Sequence, residues 1–265
     1  MEKGRTYSLE DVLFWPRQAT SINVTVQQCK TDGRKLFRLK ITNPDDRDRY
    51  HHTESPNVVC HDYNGDPFEF GEDNFELVVN QLGFRYKFLD TLVISDQFLE
   101  TSIQLEGEHS IIGIGERRGP LTIGQDHFRH GIWNRDTFPQ PNSNLYGDQP
   151  VWVARSLSGR SSFGCLWWNS NAKSFEISRP QEDTIVTMRS NGGLIDIFFA
   201  IDKDPHEVTK TIHSVLGPLA VMPDWSLGYQ LCRWGYDSAK RTFEGQTSNT
   251  LLLNLFFSCR RAAPS

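Results

Sequence analysis

The sequence predicts an all-β sandwich, and three features point that way. Apolar residues recur at every second position through the first half of the chain, turn-forming clusters separate these runs at intervals of about ten residues, and one segment alone reads clearly as helix.

The first runs are Ile22, Val24 and Val26; Phe37, Leu39 and Ile41; Phe75, Leu77 and Val79; and Phe84, Tyr86 and Phe88. Alternate side chains leave opposite faces of a strand, so each set marks a half-buried strand. Between them, Thr31-Asp32-Gly33, Asn43-Pro44-Asp45-Asp46 and Asp62-Tyr63-Asn64-Gly65-Asp66-Pro67 supply the positive or fixed φ that chain reversals require. After a long polar stretch, residues 151–156, 163–168, 173–179, 184–189 and 193–201 form a second series of strands. The helix is expected near 204–216. Asp204 is its N-cap, Pro205 takes the first helical position, Glu207 the third, and Val208, Ile212 and Val215 share one face before Gly217-Pro218 ends it. Residues 225–231 read as one more strand. Beyond Ala239 the pattern changes: 242–250 is polar and 251–257 is an apolar burst broken by Asn254, far too short for a bilayer.

Composition narrows the function. A chain of 265 residues that is 37% hydrophobic can bury a core, and a net charge of -5 with scattered Lys and Arg gives no footprint for nucleic acid. Aromatics at 12%, with seven Trp, suit both sheet packing and stacking on sugar rings. Cys29, Cys60, Cys165, Cys232 and Cys259 are far apart, with no metal-ligand spacing, so no zinc and no cofactor are expected. An odd count leaves at least one thiol unpaired within the chain, and spacing alone leaves the pairing of the others open. No stretch has the pattern of a signal peptide or a membrane span, and the compartment stays open. Asn23-Val24-Thr25 fits the N-glycosylation pattern, a weak one that falls within an expected strand.

Other local motifs are better read as structure. Gly113-Ile114-Gly115-Glu116-Arg117-Arg118-Gly119 places its last glycine one position late for a dinucleotide loop. In Asp62 to Asp66, Pro67 stands where a calcium loop needs glycine. His127 and His130, near Asp126, show neither helical nor alternating spacing and read as part of a polar loop. Among 33 acidic residues no pattern nominates a catalytic pair.

Six segments in order carry a family likeness: Gly113-Ile114-Gly115-Glu116; Trp133-Asn134-Arg135-Asp136-Thr137 with Asn144-Leu145-Tyr146-Gly147-Asp148-Gln149-Pro150; Trp168-Asn169-Ser170-Asn171-Ala172; Gly192-Gly193-Leu194-Ile195-Asp196; Gly217-Pro218-Leu219-Ala220 with Pro223; and Leu227-Gly228-Tyr229-Gln230-Leu231-Cys232-Arg233-Trp234-Gly235-Tyr236. Together they resemble the N-terminal part of glycoside hydrolase family 31 α-glucosidases over about residues 8–238.

The resemblance implies a galactose mutarotase-like β-sandwich at 1–219, the first strand of a (β/α)8 catalytic barrel at 220–238, and a disordered tail outside the family pattern at 239–265. It implies that Asp136 accepts hydrogen bonds from substrate hydroxyls and that Trp234 lines the sugar site at the end of that barrel strand. The substrate would be an α-glucoside oligosaccharide of the maltose or starch type. The family's nucleophile and acid/base both lie on later barrel strands, and no segment here resembles the nucleophile's surroundings. The expectation is therefore an α-glucosidase-like hydrolase cut short before its catalytic residues and inactive alone. Two alternatives stay open: a stand-alone carbohydrate-binding module, and the unstable product of an incomplete gene model. Family members are often secreted, lysosomal or membrane-anchored.

Overall fold

The computed structural model describes residues 5–8, 21–44, 56–63, 68–70, 77–81, 84–88, 92–95, 97–123, 127–141, 143–158, 161–228, 230–231, 235, 237–241 and 257–258. The chain forms two compact units, Met1–Gly217 and Pro218–Ser265.

In chain order the first unit contains β1 (Arg5–Ser8), β2 (Ser21–Cys29), β3 (Lys35–Thr42), β4 (Cys60–Asp62), β5 (Phe68–Phe70), β6 (Leu77–Gln81), β7 (Phe84–Phe88), β8 (Val93–Ser95), β9 (Phe98–Leu105), β10 (His109–Arg117), β11 (Thr122–Ile123), β12 (His127–Ile132), β13 (Asn144–Ser156), β14 (Ser162–Trp167), β15 (Lys173–Ser178), β16 (Thr184–Ser190), β17 (Ile195–Asp202) and the helix α1 (Pro205–Leu216). One sheet has the order β1-β2-β3-β17-β14-β13-β10-β11, with β4 beside β2. The other runs β12-β15-β16-β9-β7-β6-β5, with β8 beside β9.

The core lies between the sheets. Ile22, Leu39, Trp152, Phe163, Ile197 and Phe199 of the first sheet join Leu99, Ile103, Phe175, Ile177, Val186 and Met188 of the second in one buried cluster. Each set follows the two-residue period along its strand, which is why the alternation was readable. β14 and β17 depart from it, because every residue of β14 is buried and all of β17 but its last. The second covering is α1, whose Val208, Ile212 and Val215 pack with Leu36, Val153, Leu166, Phe198 and Ala200 on the outer face of the first sheet. Each Val, Leu, Ile or Phe side chain among these contributes about 1.5–3 kcal/mol on burial.

Sequence and structure agree closely on α1. Asp204 Oδ1 accepts from the His206 amide at 2.9 Å, and the Gly217 amide closes the other end on the His213 carbonyl. The helix approaches the sheet over Gly164, where a Cβ would lie 2.4 Å from Val208 Cγ1. Only hydrogen fits there.

Of the cysteines, Cys29 and Cys60 form a disulfide between register partners in β2 and β4, and Cys165 is a buried free thiol. Cys232 and Cys259 lie outside the described residues.

Two expectations need correction, the polar loop around His127 and His130 and the strand at 225–231. In addition, the polar stretch before residue 151 holds strands that the alternation did not mark, β9 to β12 and the start of β13. In β12 the alternation is present but disguised: His130 and Ile132 are buried and Phe128 packs on the core, whereas His127 and Arg129 are exposed. A histidine in an inward position hid the period. Residues 225–231 are not one strand, because Asp224–Leu227 form a 3-10 turn and only Gln230–Leu231 (β18) pair, in parallel, with Phe257–Ser258 (β19). Trp225, Leu227, Tyr229 and Leu231 do alternate, but Gly228 interrupts the run, weakening a strand interior and capping the 3-10 turn that Asp224–Leu227 form. Phe75 and residues 64–67 lie outside the described residues.

Candidate functional site

The second-sheet strand β12 runs into an eleven-residue connection, 133–143, that returns as β13 of the first sheet. The connection thus crosses one end of the sandwich, and Asn142 within it lies outside the described residues. The loop is tied at both limbs. Asn144, buried at the start of β13, donates from Nδ2 to the Trp133 carbonyl and to that of Leu145. On the returning side Arg118 donates to the Pro139 carbonyl at 3.3 Å, and Arg118 and Pro141 form an isolated β-bridge. Within the loop the Arg135 guanidinium lies 5.1 Å from the Trp133 ring centre and donates to Thr137 Oγ1 at 3.1 Å. Asp136 is exposed, between the partly exposed Trp133 and the largely exposed Phe138.

The end of β10 shapes the floor. Gly113 and Ile114 take positive φ, and the β10/β13 register shifts after each of residues 113 and 115. Such a bulge re-aims the side chains that follow it. Glu116 consequently reaches across to accept the Gly147 amide at 2.9 Å, and Arg117 lies over the Phe128 ring while donating to the Pro120 carbonyl. Partial burial lowers the Arg117 pKa; burial first, and the Arg117 charge second, hold His130 below the ordinary imidazole value.

Beneath the loop lies a buried ion pair. Lys173 Nζ donates to Asp148 Oδ2 at 2.8 Å, to the Asn169 carbonyl at 2.8 Å and to the Asn171 carbonyl at 2.5 Å, which uses all three ammonium protons. The Lys173 side chain is fully buried and that of Asp148 is 6% exposed. Burial pushes the Asp148 carboxyl up and the Lys173 ammonium down, and their mutual hydrogen bond opposes both shifts. The turn that supplies the two carbonyls is itself clamped. Asn169 Nδ2 donates to the carbonyls of Gly192 and Leu194, while its Oδ1 accepts the Asn171 amide at 2.8 Å. Gly193 takes φ +77° against these amides, and a Cβ there would lie 2.6 Å from Asn171 Nδ2. The motifs at 168–172 and 192–196 therefore meet as one buried polar clamp.

Of the residues expected at the site, Asp136 is on this exposed loop and Trp234 lies outside the described residues. Asn23 is a half-buried residue of β2, with β1 on one side in register at Thr6 and β3 on the other at Thr42. His127 and His130 leave opposite faces of β12. Lys173, Asp148, Glu116 and Asn144 were not singled out individually. Three of them stand in quoted motifs, but pairing between residues 25 or more positions apart leaves no mark in one sequence.

Residues 2–176 match the glycosyl hydrolase 31 N-terminal galactose mutarotase-like domain. The chain is 34% identical to lysosomal alpha-glucosidase of Mus musculus over 246 residues, covering 89% of this chain and 25% of that protein. It is 32% identical to intestinal sucrase-isomaltase of Homo sapiens over 221 residues, covering 76% of this chain and 11% of that protein. It thus spans about a quarter or less of the length of these relatives. The fold is similar to the ER glucosidase II heterodimeric complex of catalytic subunit and regulatory-subunit binding domain, with a TM-score of 0.59 at 15% identity over 86% of this chain and 36% of that one. It is equally similar to the family 31 dextranase of Flavobacterium johnsoniae complexed with glucose, with a TM-score of 0.59 at 15% identity over 86% of this chain and 29% of that one. Among the described residues no helix is long and apolar enough to cross a membrane. By the profile its sequence matches over residues 2–176, this chain belongs to the glycosyl hydrolase 31 N-terminal galactose mutarotase-like domain family.

Proposed function

We propose that this chain serves an α-glucosidase-like glycoside hydrolase as the sandwich that presents part of the sugar subsite, and that its own role is binding. The observation that carries the reading is the loop 133–143, tied at both limbs, which carries the exposed Asp136 together with the exposed side chains of Trp133 and Phe138. An ionised carboxylate accepts hydrogen bonds from sugar hydroxyls, and a partly exposed indole offers a flat apolar face to a pyranose ring. The substrate class is an α-glucoside oligosaccharide of the maltose or starch type, in keeping with relatives that are an α-glucosidase and a sucrase-isomaltase. Trp234 belongs to the same proposal as a second sugar-lining residue. So does a division of the chain into a sandwich at 1–219, a barrel start at 220–238 and a tail at 239–265. Asn23 is proposed as a glycan acceptor on the strength of its motif alone.

The test is calorimetric titration of maltotriose and maltoheptaose into the purified chain. Saturable binding that Asp136→Ala weakens about tenfold, the loss of roughly one charge-assisted hydrogen bond, supports the reading. No binding, or binding indifferent to Asp136→Ala, removes it.

A further inference from the structure

We infer that Lys173 and Asp148 are positioning residues for the Asp136 loop, their buried ion pair closing its base so that Asp136 is held where a glucoside hydroxyl can reach it. The inference rests on the reading of Asp136 just given.

The argument is topological before it is energetic. Lys173 is the register partner of Ile132, the last residue of β12 and the one immediately before Trp133. Asp148 lies five positions past Ser143, on the strand by which the chain returns. One member of the pair is therefore fixed to the outgoing limb and the other to the returning limb. Lys173 is held further by the carbonyls of Asn169 and Asn171, on the turn clamped to Gly192 and Leu194. The base of the loop is thus tied to the strands that meet at that turn.

An ion pair suits this task better than an apolar contact. Apolar contact is non-directional, whereas a buried ammonium turned away from its acceptors meets a steep penalty. Asp148 depends on the lysine in turn, because its Oδ1 is buried without a hydrogen-bond partner among the described residues. Removal of either residue leaves the other as a buried charge without its counter-ion.

The test uses the full chain and four forms: wild type, Asp136→Ala, the apolar replacement Lys173→Met/Asp148→Leu, and the combination of all three substitutions. Apolar replacement of a buried pair often leaves stability near its original value, so the melting temperature reports folding while maltoheptaose titration reports positioning. The expected result is an affinity about tenfold weaker in the apolar replacement, and no further loss when it is added to Asp136→Ala. Unchanged affinity in the apolar replacement, or losses that multiply in the combination, overturns the positioning role while leaving the reading of Asp136 intact. Absence of wild-type binding overturns both. Should the apolar replacement fail to fold, hydrogen exchange on Asp148→Asn decides. Faster exchange confined to the amides of 133–143 supports the inference, and uniform or absent change overturns it.

Discussion

Gly164 of β14 and Val208 of α1 are in such close contact that a Cβ on the glycine would lie 2.4 Å from Val208 Cγ1 and 3.2 Å from Ile212 Cγ1. The helix can lie flat on the sheet because one strand position there has no side chain. Gly164→Ala is expected to lower stability by about 1–3 kcal/mol through overpacking. Adding Val208→Ala should return part of that loss, because the two sites share one volume. Calorimetric melting of the two single variants and the double variant checks this, and strictly additive losses would contradict it.

Gly193→Ala is expected to destabilise by about 2 kcal/mol or more, since the left-handed backbone at φ +77° costs an L-residue roughly 1–2 kcal/mol before any clash. The added methyl would also displace the amides of Asn169 and Asn171 that hold the turn under Lys173. Urea denaturation measures the loss, and stability equal to wild type would show that the clamp is loose.

The disulfide between Cys29 and Cys60 closes a separation of 31 residues, for which chain entropy gives about 3–4 kcal/mol. Cys60→Ser or reduction should lower stability by about that amount. Cys165 should react with iodoacetamide only in denaturant, because burial raises its thiol pKa and excludes reagent. Peptide mapping after native and denaturing alkylation separates the two behaviours.

On the outer face of the second sheet, Arg189 bridges Glu100 and Glu176 at 2.6 Å each, and His127 lies 3.7 Å from Glu176. The Arg189 hydrogen bond comes first among the causes that hold the Glu176 carboxyl below its ordinary value of 4.5. A carboxyl whose pKa is lower in the folded state binds fewer protons there than in the unfolded state, so its stabilisation is present above the unfolded pKa and is lost as pH falls through the folded one. The stability difference between wild type and Glu176→Gln should therefore be constant above about pH 5.5 and shrink as the pH drops below 4.5. Denaturation midpoints across that range check the sign; a difference that grows on acidification would reverse the assignment.

Much of this architecture was legible without coordinates, wherever one residue's neighbours in sequence are also what determine its state. The alternation at 22–26, 37–41 and 84–88 marked strands, Asp204-Pro205 and Gly217-Pro218 bounded α1, and the six motifs pointed to the family. Legibility failed in β12, where His130 occupies an inward position, and in β10, where bulges at 113–117 break the period. It failed again at 224–231, where Trp225, Leu227, Tyr229 and Leu231 alternate as in a strand but the segment, interrupted by Gly228, forms a 3-10 turn and only a two-residue strand.

For the site, the sequence by itself determined the residue types: a loop with an acid and aromatics, and motifs rich in Asn and Gly whose purpose was not readable. Only the tertiary structure decided which of them meet. It paired Cys29 with Cys60, joined Asn169 to Gly192 and Leu194, and brought Lys173 to Asp148 beneath the loop. The physical reason is that alternation and capping act between residues a few positions apart, whereas a buried charge finds its partner through the packing of two sheets, and that information is distributed over the whole core.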